Sequence, residues 1–283
     1  VTAAHDRPPA PEPLPHPVVD NHCHLDIGRG GRGAEPWDAR EAIDAAAAVG
    51  VRRIVQIGCD LRGAAWALSA ARQHPEVVAG VALHPNEAPR LDAAGGLDAA
   101  LEAIELLAAS HERVRAVGET GLDNFRTGPE GKAAQVRSFA AHIDLAKRLD
   151  KTLVIHDRDA HDEVLDVLDA EGAPERWVMH CFSGDAAFAR QCLDRGAYLS
   201  FAGTVTFKNA APLRNALVVT PQDRVLVETD APYLTPHPYR GQTNASYLIP
   251  MTVRAMAEVR GDDLGELCAA IDANTERAFG GSW

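Results

Sequence analysis

The chain predicts a closed (β/α)8 barrel. Three observations lead there: eight short apolar runs alternate with longer amphipathic stretches, the runs lack strict apolar–polar alternation, and potential metal ligands stand where five of them end. Val-, Ile- and Leu-rich runs of this kind suit parallel strands covered on both faces. Eight strand–helix units in a chain of 283 residues nearly use up what one barrel of ~250 residues requires. An open doubly wound sheet is the structural alternative, but ligands on the first, fourth, fifth, sixth and eighth strands converge naturally only if the sheet closes.

The elements follow in order. Residues 1–17 hold six prolines and no apolar signal-peptide core, so they are expected to be a Pro-rich flexible lead-in to a single barrel domain over 18–283. The first strand, expected over 18–25, reads Val18-Val19-Asp20-Asn21-His22-Cys23-His24-Leu25. Residues i and i+2 of a strand share a face, so His22 and His24 can reach one cation. The second and third strands are expected over 52–59 and 77–84, the third ending in Leu83-His84-Pro85. The fourth, 114–120, ends in Gly118-Glu119; the fifth, 152–158, carries Ile155-His156; and the sixth, 176–182, carries Met179-His180. The seventh, 197–203, runs into Gly203-Thr204-Val205-Thr206-Phe207-Lys208-Asn209, and the eighth, 225–230, ends in Glu228-Thr229-Asp230. Active sites of such barrels lie at the carboxyl ends of the strands, where these ligand types fall.

Composition narrows the class. With 46% hydrophobic residues the chain can bury a large core, and no apolar run approaches the roughly 20 residues that cross a bilayer, so no membrane partner is expected. Five cysteines without paired spacing imply reduced thiols and a soluble, cytoplasmic protein, with Cys23 and Cys181 in packing roles. A net charge of -12 argues against sequence-independent coating of nucleic acid. Much of it falls on alanine-rich helical segments such as Glu41 to Asp44 and Glu102 to Glu105, which read as solvated faces. Those helices suit a monomer or a weak oligomer.

The set His22, His24, Glu119, His156, His180 and Asp230 mixes nitrogen and oxygen donors without thiolate. That favours Zn, Mn, Fe or Co, with Mg where water completes the octahedron. Six ligands are too many for one catalytic tetrahedral zinc, so two metals sharing a carboxylate are the economical reading. Glu119 is the natural bridge, having two oxygens, and none of the four lysines ends the fourth strand to replace it. A metal pair polarises a phosphoryl or carbonyl oxygen and activates water. Asp230 is expected to touch one metal and take a proton from that water, making Asp230 and Glu119 the catalytic candidates. His84, Lys208, Arg158 and Arg240 are candidates for holding an anionic substrate.

These residues resemble a family, the TatD-type metal-dependent deoxyribonucleases of the amidohydrolase superfamily. The likeness is carried by Asp20-Asn21-His22-Cys23-His24-Leu25-Asp26, Leu83-His84-Pro85, Gly118-Glu119-Thr120-Gly121-Leu122-Asp123, Val154-Ile155-His156-Asp157-Arg158, His180-Cys181-Phe182-Ser183-Gly184, Thr206-Phe207-Lys208-Asn209, Glu228-Thr229-Asp230-Ala231-Pro232 and Asn274-Thr275-Glu276-Arg277-Ala278-Phe279-Gly280. The resemblance implies a TIM barrel, the six residues as ligands of Mg2+, Mn2+ or Zn2+, His84 facing the scissile phosphate, and hydrolysis of single-stranded or short DNA, often from the 3′ end. Two stretches depart from it. His84-Pro85-Asn86 stands where the family often has His-Pro-His, and Arg240-Gly241-Gln242-Thr243-Asn244-Ala245-Ser246 stands where it often has Arg-Gly-Lys-Arg-Asn-Glu-Pro. The second change removes two positive charges and keeps a competing reading open, a metallohydrolase of a small ester, lactone or amide, or of aminoacyl-tRNA esters. A non-catalytic binding module fits poorly with retention of all six ligands.

Overall fold

A computed structural model describes residues 7–28 and 35–280. Eight parallel strands form one sheet in sequential order: β1 (Val18–Cys23), β2 (Val51–Gly58), β3 (Val77–Val81), β4 (Val114–Asp123), β5 (Thr152–Arg158), β6 (Trp177–Met179), β7 (Tyr198–Phe201) and β8 (Val225–Val227). Around them lie α1 (Ala39–Ala48), α2 (Leu61–Gln73), α3 (Glu87–Ala93), α4 (Leu97–Ala109), α5 (Lys132–Arg148), α6 (His161–Glu171), α7 (Ala186–Asp194), α8 (Ala211–Val219), α9 (Ile249–Arg260) and α10 (Leu264–Phe279). This is the (β/α)8 barrel. None of the described helices is long and apolar enough to cross a membrane.

Local chemistry sets the helix starts. Asp38, Asp60, Asp185 and Asp263 each accept from backbone N–H groups in the first turn of α1, α2, α7 and α10, satisfying donors that a helix cannot pair internally. Gly58 ends β2 where a Cβ would lie 2.4 Å from the backbone of Ala64, so only glycine lets α2 pack this close. The outer core fills the space between sheet and helices. Inside the barrel, Val19, Val55, Ile57, Val78, Val154, Val178 and Leu226 meet Ala278 and Phe279 from the end of α10.

That last contact explains the motif at 274–280. Asn274 donates to the carbonyls of Val225 and Gln222 at 2.8 Å, Thr275 accepts from Asn21 at 3.1 Å, and Arg115 donates to the Gly280 carbonyl at 3.1 Å. The segment seals the barrel at the end away from the ligands.

Closure between β1 and β8 is short. The Asp230 N–H donates to the His22 carbonyl at 2.9 Å and the His24 N–H to the Ala231 carbonyl at 2.8 Å, a parallel bridge pairing Cys23 with Ala231. Side chains extend it: Asp20 accepts from the Thr229 N–H at 2.9 Å and hydroxyl at 2.6 Å, and Asn21 donates to the Val227 carbonyl at 3.1 Å.

Several expected bounds shift. β6 stops at Met179 and β8 at Val227, so His180 and Asp230 sit on loops just past their strands. β4 instead runs on to Asp123, and Glu119 lies within it at a break in register with β5, between Gly118 and Thr120. Two helices, not one, join β3 to β4. Of the lead-in expected to be flexible, residues 1–6 lie outside the described residues. Residues 7–17 form no helix or strand yet lie against the barrel: Leu14 is buried and donates to the Val49 carbonyl at 3.0 Å, Tyr247 donates to the Pro8 carbonyl at 2.5 Å, and Arg254 to that of Pro13 at 3.0 Å. Prolines lack N–H groups but keep their carbonyls, and these are what the barrel's side chains engage.

Candidate metal centre

The six ligand candidates come from five strands and meet at the carboxyl end of the barrel. Glu119 lies at their middle and divides them. Its Oε1 is 3.6 Å from both His22 Nε2 and His24 Nε2, and its Oε2 is 2.9 Å from His180 Nε2 and 3.2 Å from His156 Nδ1. Asp230 Oδ1 joins the first side, 3.4 Å from His24 Nε2 and 3.9 Å from His22 Nε2. The His22 and His180 rings stack with centroids 3.9 Å apart.

Neighbouring groups fix which nitrogen three of the four imidazoles present. His24 Nδ1 donates to the Ile57 carbonyl at 2.9 Å, and His180 Nδ1 donates to Glu228 Oε1 at 3.1 Å, because those oxygens can only accept. Both therefore turn Nε2 inward. His156 has Nε2 3.4 Å from Asp123 Oδ2, leaving Nδ1 toward Glu119. Orientation of ligand imidazoles by a carbonyl or carboxylate is the usual outer layer of a metal site.

Whether a metal fits can be tested on His22. Both its nitrogens are buried without a hydrogen-bond partner among the described residues, an arrangement that leaves a costly polar orphan unless a cation takes a lone pair. The charges agree. Burial by itself would raise the Glu119 carboxyl, but the fields of His180 and His84 and hydrogen bonds from His156 and His180 hold it well below the usual range. Burial likewise disfavours a charged His180, yet Glu228 and Glu119 push its proton affinity well above that of ordinary imidazole. Carboxylates that pull protons onto buried imidazoles also attract a divalent cation, which competes with those protons. Nitrogen and oxygen donors in two sets sharing Glu119 fit one or two such ions.

The remaining candidates separate. The centre floors a cavity of about 830 Å³ whose lining includes His84, Arg158, Asp157, Thr204 and Tyr233. His84 Nδ1 accepts from the Asn86 N–H at 3.1 Å, so Nε2 carries the proton and points it inward, 3.9 Å from Glu119 Oε2. Lys208 and Arg240 are not in that lining. Lys208 is exposed, and the Arg240 guanidinium lies 4.0 Å from the Phe207 ring centroid.

Four contributors escaped the sequence reading of the site. Glu228, fully buried, orients His180; Asp123 faces His156; Asp20 binds Thr229; and the Cys59 thiol donates to Glu119 Oε1 at 3.1 Å, with burial pushing its pKa up to about 12. A carboxylate ending the apolar run Val225-Leu226-Val227 was the available signal for Glu228. Cys181, expected only to pack, lines the cavity. The first departure is accounted for: Asn86 donates to Asp123 Oδ2 at 3.0 Å and accepts from Thr127 at 3.1 Å. In the second stretch Asn244, which matches the family pattern, donates to the carbonyls of Thr229 at 2.9 Å and Tyr233 at 2.6 Å.

Comparison with known proteins places this architecture. A family model described as TatD-related DNase matches residues 19–280. The uncharacterized metal-dependent hydrolase TatD of Mycobacterium tuberculosis is 47% identical over 94% of this chain and 99% of its own. A Citrobacter rodentium protein named 3′-5′ ssDNA/RNA exonuclease TatD is 35% identical over 86% of this chain and 92% of its own. Among solved structures, the Escherichia coli TatD homologue YjjV superimposes with a TM-score of 0.83 at 27% identity, covering 93% of this chain and 97% of that one. The chain belongs to the TatD-related DNase family and is a metal-dependent hydrolase.

Proposed function

We propose that the protein cleaves phosphodiester bonds of single-stranded DNA, removing nucleotides from the 3′ end, with two divalent ions shared through Glu119. The observation that carries this reading is the division of nitrogen donors between the two oxygens of Glu119, at the floor of an open cavity with His84, Arg126 and Arg158 in its lining. When bound, the ions supply positive charge to a phosphoryl oxygen and lower the pKa of the attacking water. His22, His24 and Asp230 would hold one, His156 and His180 the other.

The chain's own groups do the rest. Burial would raise the Asp230 carboxyl, but the hydrogen bond from His24 and its charge hold it below the usual value, so it is ionised at neutral pH and able to accept a proton. His84 offers its Nε2–H to a non-bridging phosphate oxygen. Arg158 and Arg126 stand where the next phosphate would lie, and an arginine fork suits phosphate better than a point charge. The named activity of the Citrobacter relative supports the substrate class.

The test is cleavage of a 3′-labelled single-stranded oligonucleotide after chelation and readdition of Mg2+, Mn2+ or Zn2+, with Glu119→Ala as the control for contaminating nuclease. Stepwise loss of label that needs both metal and Glu119 is expected. No cleavage by protein shown to hold metal overturns the nuclease reading in favour of small esters, amides or aminoacyl esters.

A further inference from the structure

Five large apolar side chains are exposed among the described residues, and the two aromatic ones, Phe125 and Tyr233, are at the metal cavity: Tyr233 lines it, and Phe125 lies beside two residues that do. Phe125 is 60% exposed, on the loop that follows β4. It is not left outside by a slack backbone. Asp123 Oδ1 accepts from the Phe125 N–H at 3.0 Å and the Arg126 N–H at 2.7 Å, and Asn124 is tied to Asp159 and Arg158 through their carbonyls, both at 2.9 Å. The loop is pinned with an apolar ring facing water, an arrangement that burial against a ligand would favour.

Two cations lie near that ring. The Arg158 guanidinium lies 3.9 Å from its centroid and that of Arg126 5.8 Å away, and both arginines line the cavity. No ion pair neutralises either one among the described residues. In a chain of net charge -12, an aromatic ring beside two guanidiniums that no ion pair neutralises among the described residues matches a ligand that is flat and apolar at one point and anionic at the next. The other oxygen of Asp123 is 3.4 Å from His156 Nε2, so one carboxylate spans the loop and the metal centre.

We propose that Phe125 is a stacking platform for the terminal base of a single-stranded nucleic acid, with Arg158 and Arg126 taking the phosphate that leads from that base into the cavity. This rests on the nuclease reading and adds where the strand end is gripped. Stacking on a protein aromatic is tolerant of sequence, because every base has a π-face.

The experiment uses the metal-loaded full chain, its metal content measured, on two oligonucleotides that differ only in having a normal or an abasic 3′-terminal nucleotide. For the wild type, loss of the terminal base raises KM about tenfold, the range expected for one stacked base. In Phe125→Leu that ratio falls to within about twofold of one, while Phe125→Tyr, which keeps a ring, restores it. A terminal 2-aminopurine is quenched on binding the wild type and Phe125→Tyr but not Phe125→Leu. Equal discrimination by wild type and Phe125→Leu, or none by the wild type, overturns the platform and leaves the nuclease reading standing. Failure of metal-holding wild type to cleave either oligonucleotide overturns both.

Discussion

At the scale of single residues, the centre depends on groups that never face the cavity. Glu228 has one oxygen on His180 Nδ1, and its other oxygen is buried without a hydrogen-bond partner among the described residues. Glu228→Gln removes the charge that favours the ligand tautomer of His180, and metal affinity is expected to fall about tenfold. Chelator titration of the loaded protein measures this; an unchanged midpoint would exclude the orienting role. A second residue sets acid sensitivity. Burial pushes His142 down to about 4 from its ordinary 6.5, so it stays neutral in the fold, where its Nδ1 donates to the Ser138 carbonyl at 2.6 Å and its Nε2 accepts from the Leu83 N–H at 3.2 Å. Between those pH values the unfolded chain binds the proton and the folded one does not. Stability from this group is therefore complete above about pH 6.5 and is lost as pH falls toward about 4, by roughly 3 kcal/mol at most. Urea unfolding at a series of pH values should show that slope, flattened in His142→Gln. Sequence reading reached the six ligand candidates because each lies at or near the end of an apolar run. It missed Glu228, Asp123 and Cys59 because their roles depend on side-chain direction at distances no spacing encodes.

At the scale of elements, β4 places Glu119 by breaking its own ladder. Gly121 lies just past that break with φ +140°, and a Cβ there would sit 2.0 Å from the His156 carbonyl oxygen. Gly121→Ala is expected to destabilise the fold by at least about 3 kcal/mol and to displace His156. Denaturant midpoints for the variant give the first quantity; a midpoint within error of wild type would contradict it. The end of β4 was also misjudged: the strand was expected to stop at residue 120, whereas it pairs past the register break and through Gly121 to Asp123. β6 and β8 erred the other way, since the reading carried each strand on past its ligand-type residue, whereas ladder pairing stops at Met179 and Val227. Strand existence was legible from composition, while strand ends were set by pairing partners far away in sequence.

At the scale of the whole molecule, a net charge of -12 leaves few cations to meet a polyanion, and two of them, Arg126 and Arg158, line the cavity. Arg53, Arg40, Arg148 and Arg195 are paired with carboxylates, whereas Arg126 and Arg158 have no ion pair among the described residues. Binding of a single-stranded oligonucleotide should thus involve few phosphates, giving a log–log salt slope of about -1.4 for two contacts. Fluorescence anisotropy over a range of salt tests this, and a slope several times steeper would require a wider basic surface. The barrel itself was legible because eight apolar runs in alternation admit few other topologies. The docked lead-in was not, because a proline-rich stretch gives no sign of which side chains will meet its carbonyls.

The seam between β1 and β8 has a consequence for how the protein is made. His22 and His24 leave the ribosome early, Asp230 late, and the backbone bonds that staple the seam join those same residues. A nascent chain holding only its first half carries two imidazoles but neither the late carboxylate nor the staple that sets their spacing. If Asp230 is needed to hold an ion beside His22 and His24, metal uptake is expected only when synthesis is nearly done, and a hydrolytic centre would not form on an unfinished protein.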